Sequence, residues 1–298
     1  MKKYHIEKNT VQETLIIPLY GRKICADRYP DMLNDGEAQR ICEMLDYDFS
    51  EKGKLMETKA GLFGALEAAQ RYYDLGYEAE NYLKFHPEAA VVNLGCGLDT
   101  TFTRVDNGRC TGYNLDLPDV IEIRNELLPE SEREHNIACD LNDLSWFEKI
   151  DFDESKGAVF FAAGVFYYFR TQQLKAIFDA MAKHFKGGKL VFDSCNKAGA
   201  KMMTKTWLKE VGITDVGAYF SSSDAAAELA DWSRNFESVT TKSYMNGYRK
   251  VDRRFGVFNR LMACMCDRLI KLDIVRINFK GGNDNEARFN RERKRRYS

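Results

Sequence analysis

A chain of 298 residues, 44% hydrophobic and 30% charged, has ample apolar material for a buried core and room for one large domain with an insertion, or for two small ones. A formal net charge of -1 and a pI near 6.5 give no overall pull toward nucleic acid or an anionic membrane, so neither partner is expected. Met1 to Glu7 lead into no apolar stretch of signal-peptide length, and no window approaches the roughly 20 apolar residues needed to span a bilayer, so a cytoplasmic location is expected.

In chain order, residues 1–88 predict a helical cap. Glu37 to Leu45 puts Ile41, Met44 and Leu45 on one face, Gly61 to Tyr82 carries Leu62, Phe63, Leu66, Ala69 and Tyr73 at helical spacing, and His86-Pro87 breaks the pattern. From Ala89 the signal alternates between apolar runs and amphipathic stretches, which predicts βαβ units and a mostly parallel, doubly wound α/β sheet. The strands fall at Ala89–Leu94, Arg109–Leu115, His135–Cys139, Ala158–Ala163 and Lys189–Asp193. Before the last of these lies a helix with Thr171 as N-cap, Leu174, Ile177, Phe178, Met181 and Phe185 as its buried stripe, and Gly187-Gly188 as its stop.

Residues 196–250 lose periodicity, with helical fragments at Ala200–Val211 and Ala225–Trp232, and are expected to form a substrate-covering insertion over the strand tips. The core, 89–195, is expected to resume over 251–282 with a helix at Phe255–Leu269 and a half-exposed terminal strand at Leu272–Phe279. Residues 283–298 form a tail whose Arg288–Arg296 stretch holds six basic residues and one acid, and it is expected to be solvated. Eight cysteines are scattered; only Cys264 and Cys266 are close, and without a second pair they make no zinc site, so reduced thiols and no metal are expected.

Chemistry concentrates after the first strand. Gly95-Cys96-Gly97 follows Ala89–Leu94 directly, and Asp116 stands 19 residues beyond Gly97 at the end of the second apolar run. The first glycine allows a sharp turn off the strand, and the second removes a Cβ so that backbone can approach a ligand. An acid at the next strand tip can accept both ribose hydroxyls. A dinucleotide fingerprint wants a third glycine three residues on, where this chain has Thr100, so a nicotinamide oxidoreductase is disfavoured. A nucleoside without phosphate, such as S-adenosyl-L-methionine, suits the pattern better.

Asn93 to Asp99 would form the floor under the methionine part. Asp116 and its neighbour Leu117 would take the ribose side, the alternative for Asp116 being an N-cap for a helix starting near Pro118. Asp140, a turn residue in the alternative reading, could accept from the adenine amine while Leu141 packs on the ring. The run Phe160–Phe169 enters the cleft where a methyl group is presented, and Tyr168 could orient substrate or face the sulfonium, although Tyr167 is not separable from it by position alone. The four histidines, His5, His86, His135 and His184, lie in no catalytic motif.

Five stretches together carry a family resemblance: Leu15–Arg22 (LIIPLYGR), Asp46–Phe49 (DYDF), Val91–Thr100 (VVNLGCGLDT), Tyr113–Pro118 (YNLDLP) and Leu127–Arg133 (LLPESER). In these the chain resembles the leucine carboxyl methyltransferase family of S-adenosylmethionine-dependent enzymes, in particular a bacterial branch similar to tetracenomycin polyketide-synthesis O-methyltransferases. The resemblance implies a class I, Rossmann-like methyltransferase sheet with a helical N-terminal extension and an inserted lid. It further implies that Gly95 and Gly97 line the methionine portion, Asp116 holds the ribose, Asp140 and Leu141 frame adenine, and Arg71 pairs with the cofactor carboxylate, with Arg22 a weaker candidate for that pairing. Family members usually carry Ala-Glu-Gly-Val where this chain has Ala162-Ala163-Gly164-Val165, so position 163 meets the cofactor without the carboxylate. The expected function is O-methylation of a carboxylate or hydroxyl on a small-molecule acceptor. The alternative is a catalytically silent protein that binds S-adenosylmethionine or S-adenosylhomocysteine. Oligomeric state is not legible.

Overall fold

Five apolar runs become five parallel strands in the computed structural model, which describes residues 3–6, 11–31, 33–203 and 219–281. They are β1 (Ala90–Leu94), β2 (Thr111–Asp116), β3 (Glu134–Ala138), β4 (Ala158–Ala162) and β5 (Lys189–Ser194). Two further strands, β6 (Phe236–Ser243) and β7 (Asp273–Phe279), complete a sheet of order β3-β2-β1-β4-β5-β7-β6 in which β7 runs antiparallel to both of its neighbours. The register aligns the strand ends. Leu94 pairs with Leu115 and Ala162, and Ala162 with Phe192, so Gly95, Asp116, Ala163 and Asp193 all emerge along one carboxyl edge. The order changes direction at β1 and β4, and such sheets bind ligands in the crevice at that point.

Side chains alternate between two buried layers, as the strand period of two requires. Val91, Val159, Phe161 and Val191 face one helical layer. Val92, Leu94, Phe160, Leu190 and Phe192 face the other. The first layer is dominated by a 25-residue helix, α4 (Lys59–Leu83), which starts where the Thr58 side chain accepts the Gly61 amide at 3.0 Å. Three earlier helices, α1 (Val11–Arg28), α2 (Gly36–Met44) and α3 (Ser50–Glu57), form the cap. A small separate core of Ile16, Leu19, Ile41 and Leu98 with Ile123 and Leu127 joins this cap to the glycine turn after β1 and to α6 (Pro118–Leu127), beyond the short α5 (Thr101–Val105).

Between β4 and β5 runs α7 (Thr171–His184), with the predicted apolar stripe fully buried. Its N-cap is Arg170 rather than Thr171, because the Gln173 side chain accepts the Arg170 amide at 2.9 Å and closes the first turn one residue early. Gly187, at φ +74°, ends the excursion. The second strand begins at Thr111 rather than Arg109, since the Asn107 side chain takes the Arg109 and Cys110 amides into a turn.

Two expectations for the C-terminal third need correction. Residues 236–243, read as insertion, are the edge strand β6; only Phe236 in it is buried, so no apolar alternation marked it. The strand β7, expected to be half exposed, has Ile274, Val275 and Ile277 fully buried, because it is flanked by β5 and β6 and covered on both faces. Helix α9 (Ala225–Ala230) matches the expected fragment, while of the fragment at 200–211 only the start falls within α8 (Lys197–Met203) and the rest lies outside the described residues. The basic stretch Arg288–Arg296 also lies outside them. The link from β6 to β7 holds α10 (Gly256–Arg268), and it leaves and rejoins the sheet at the carboxyl edge, where Ser243 and Ser194 both pair with Asp273. No helix of the described residues is long and apolar enough to cross a membrane.

Candidate active site

The turn after β1 is built for glycine. Gly95 has φ +68° and Gly97 φ +48°, and a Cβ on Gly95 would lie 2.4 Å from the Val165 side chain. At Gly97 the nearest atom to such a Cβ is Leu15 Cδ2 at 3.2 Å, so α1 of the cap lies over the turn. The Gly95 and Cys96 amides donate back to the Leu115 carbonyl at 2.8 and 3.0 Å. Arg124 of α6, 1% exposed, holds the outer side of the loop: Nη1 donates to the Gly97 and Asp99 carbonyls at 3.0 and 2.7 Å, while Nε donates to Asn136 Oδ1 at 2.8 Å. Asn93 is buried and donates to Asp99 Oδ1 at 3.0 Å, bracing the loop from beneath.

At the tip of β2, Asp116 accepts the Gly97 amide on Oδ2 and the Leu117 amide on Oδ1, both at 2.8 Å. It is not the N-cap of α6; Leu117 holds that place and Pro118 opens the helix. Desolvation pushes the Asp116 carboxyl above its usual range, against the pull of the two amides. Leu117 is 44% exposed, an apolar side chain left in solvent next to the acid. After β3, Asp140 is exposed and its Oδ1 accepts the Asn142 amide and side chain at 2.9 and 2.8 Å, while Leu141 is buried. An exposed leucine, an exposed carboxylate and a buried leucine thus border this end of the edge.

The opposite end of the edge is framed by α4, β4 and β5. Arg71 of α4 reaches the turn after β4, where its Nη1 lies 2.8 Å from the point a Cβ on Gly164 would occupy; Gly164, at φ +74°, leaves the room. Arg71 donates to Asp193 Oδ2 at 3.1 Å, and Asp193 Oδ1 accepts the Gly164 amide at 2.6 Å. Ala163 is half buried beside them. In the next turn, Phe166–Tyr168, the two tyrosines separate: Tyr167 is buried and Tyr168 is 40% exposed, with its hydroxyl pushed up by desolvation and by Asp193 against the pull of Arg71. One turn before Arg71, burial lifts the Glu67 carboxyl to about 7. The Tyr244 hydroxyl, from the link between β6 and β7, donates to the Glu67 carbonyl at 2.8 Å.

Arg22 stands apart from this group. Its guanidinium pairs with Asp35 at 2.9 Å and Asp99 at 3.6 Å and lies 4.2 Å over the Tyr72 ring, so it ties the cap to the glycine loop. The histidines are elsewhere: His5 near Asp46, His86 stacked on Tyr82, His135 against Tyr113, and His184 among Phe147 and Phe185. Among the described residues no group of three or more His, Cys, Asp or Glu could hold a metal ion.

The edge therefore offers an acid beside a glycine turn, an apolar border beyond it and a guanidinium at the opposite end, which fits a nucleoside joined to an amino acid. The family description that matches this chain is leucine carboxyl methyltransferase, over residues 21–182, more than half its length. The chain belongs to the leucine carboxyl methyltransferase family. Membership brings the family cofactor, S-adenosyl-L-methionine, and ends the nicotinamide reading. A curated relative, the tetracenomycin polyketide synthesis O-methyltransferase TcmP of Streptomyces glaucescens, is 27% identical over 186 residues, which are 62% of this chain and 66% of that enzyme, just under two thirds of its length.

Among solved structures, a candidate methyltransferase from Thermobifida fusca matches with a TM-score of 0.57 at 15% identity, covering 92% of this chain and 96% of its own. A DUF574 family protein from Streptomyces avermitilis matches with a TM-score of 0.56 at 10% identity, covering 78% of this chain and 92% of its own. These likenesses bear on the fold alone, and with the observed strand order they make it the Rossmann-like class I methyltransferase fold. In this member of the family, sequence reasoning passed over Arg124, Asp193, Glu67 and Leu15. Arg124 had a signal, an arginine on the face of α6 shared by Val120, Ile121, Ile123 and Leu127. Asp193 had a weaker one, an acid closing the apolar run of β5.

Proposed function

We propose that the protein is an S-adenosylmethionine-dependent O-methyltransferase acting on a carboxylate or hydroxyl of a small-molecule acceptor. The observation that carries the reading is the alignment of Gly95, Asp116, Ala163 and Asp193 along one sheet edge, with Arg71 brought to the far end. In the proposed arrangement Asp116 and Leu117 hold the ribose, Asp140 and Leu141 frame adenine, and the turn Gly95–Gly97 with Ala163 supports the methionine chain on backbone groups. The relative from tetracenomycin synthesis favours oxygen as the accepting atom.

The cofactor supplies an electrophilic methyl on a positively charged sulfur. The transfer is an in-line displacement that removes charge, so the protein contributes mainly by holding nucleophile, methyl and sulfur collinear. An ionised acceptor needs no strong base, in keeping with histidines placed away from the edge. Tyr168, exposed beside the Arg71–Asp193 pair, is the side chain proposed to orient the acceptor.

Calorimetric titration with S-adenosylmethionine, followed by transfer of a labelled methyl to a panel of carboxylic acids and phenols, tests the reading. Cofactor binding with a methylated oxygen product supports it. Binding without transfer to any acceptor favours the silent cofactor-binding alternative, and a folded protein that binds no cofactor at millimolar concentration ends both.

A further inference from the structure

We propose that Asp193 is a positioning residue for the amino-acid end of the cofactor, acting through Arg71. The proposal rests on the cofactor reading above. Asp193, the penultimate residue of β5, is 3% exposed, and both carboxylate oxygens are committed: Oδ1 to the Gly164 amide at 2.6 Å and Oδ2 to Arg71 Nη1 at 3.1 Å. One side chain therefore joins three elements, the tip of β5, the turn after β4 and the middle of α4.

The consequence for Arg71 is directional. A guanidinium is a planar fork with five N–H donors, and fixing one arm orients the others. With Nη1 held by Asp193 and the group pressed against Gly164, the remaining donors keep one orientation, and the Arg71 side chain retains 18% exposure through which a ligand carboxylate can reach them. Without Asp193 the long side chain samples many rotamers, and a cofactor has to order it on binding. Ala163 offers no carboxylate at this point, and the one that meets Arg71 comes from the neighbouring strand.

The test compares two ligands that share the nucleoside and differ in the amino-acid end: S-adenosylhomocysteine, and 5′-methylthioadenosine, which has neither carboxylate nor amine. D193N retains an oxygen for the Gly164 amide but loses the charge that holds Arg71. By titration calorimetry on the full chain, D193N should bind S-adenosylhomocysteine roughly tenfold more weakly or worse, with 5′-methylthioadenosine unchanged within about twofold. D193E, which keeps the charge and moves it by one methylene, should show the same selectivity with a smaller loss, and it covers the case in which D193N does not fold. Equal weakening of both ligands, or no weakening of either, would overturn the positioning role. A wild-type protein that binds neither ligand would instead strike at the cofactor reading itself.

Discussion

Asp116 and Gly97 are joined directly, the Gly97 amide donating to Asp116 Oδ2 at 2.8 Å. The acid proposed for the ribose and the turn proposed for the methionine chain are thus one mechanical unit. An asparagine at 116 can accept on one oxygen only and carries no charge. Asp116→Asn is expected to weaken S-adenosylmethionine binding by about 10- to 100-fold, the loss of one or two charge-assisted hydrogen bonds. Titration calorimetry on a variant shown to be folded by circular dichroism checks this.

Arg124 bears on the same loop from outside, and its buried guanidinium is shared among two loop carbonyls, Asn136 and, at 3.3 Å, Glu134. A lysine is a single point donor and cannot span these positions. Arg124→Lys is expected to lower unfolding free energy by about 1–3 kcal/mol through the acceptors left unpaired. Urea unfolding measures that cost. Cofactor affinity, read separately by titration, should fall as well, because the Gly97 and Asp99 carbonyls lose their common tether.

How far the site was legible depended on whether a residue acts through its own segment. The strands β1, β4 and β5 are buried on both faces and show as plain apolar runs. The edge strand β6, FESVTTKS, carries four hydroxyl residues and two charges on a half-exposed surface and shows nothing of the kind. Gly95, Gly97 and Asp116 were legible because turn and acid follow their strands at fixed spacing. Arg71 sits in the middle of a long helix with no local mark, and only the family resemblance picked it out. Asp193 and Leu15 acquire meaning only when β5 and α1 are placed beside elements far away in sequence, which no window reveals.

A second buried charge group lies along α4 away from the site. Glu78, 3% exposed, receives Lys189 at 2.6 Å and the Tyr248 hydroxyl at 2.5 Å, with Arg276 at 3.6 Å and Lys242 at 3.9 Å. Glu78→Gln removes the one carboxylate these cations share and leaves Lys189, itself buried, without its counter-charge. The variant is expected to lose about 3–5 kcal/mol of stability in urea unfolding. Lys189→Met, which removes cation and leaves Glu78 to Arg276 and Lys242, should cost less.

Asp74, on the same helix, sets a pH dependence of opposite sign to the ordinary acid response. Burial lifts its carboxyl from the usual 3.8 to about 8, against Arg249, Lys242 and Arg104 and with Glu78 adding to the rise. Glu67 is lifted from 4.5 to about 7 by the same cause. A carboxyl raised in the folded state keeps a proton that the unfolded chain releases, so folding loses stability as pH climbs from about 4 to about 8. Glu78 is held low and acts only in the acid range, where its contribution disappears as pH falls. The melting temperature is expected to drop between about pH 5 and pH 8, and Asp74→Asn should flatten that slope. Scanning calorimetry of both proteins across the range measures it.

The central claim is that an adenosyl group lies across the tips of β1 and β2 with its sugar on Asp116 and its amino-acid end toward Arg71. The most direct measurement is a crystal structure of the protein with S-adenosylhomocysteine bound. The account predicts the ribose hydroxyls within hydrogen-bonding distance of the Asp116 carboxylate, the ligand carboxylate on Arg71 and adenine between Leu117 and Leu141. A ligand seated elsewhere, or one lying on this edge with Asp116 still turned wholly onto the Gly97 and Leu117 amides and its sugar uncontacted, would contradict it.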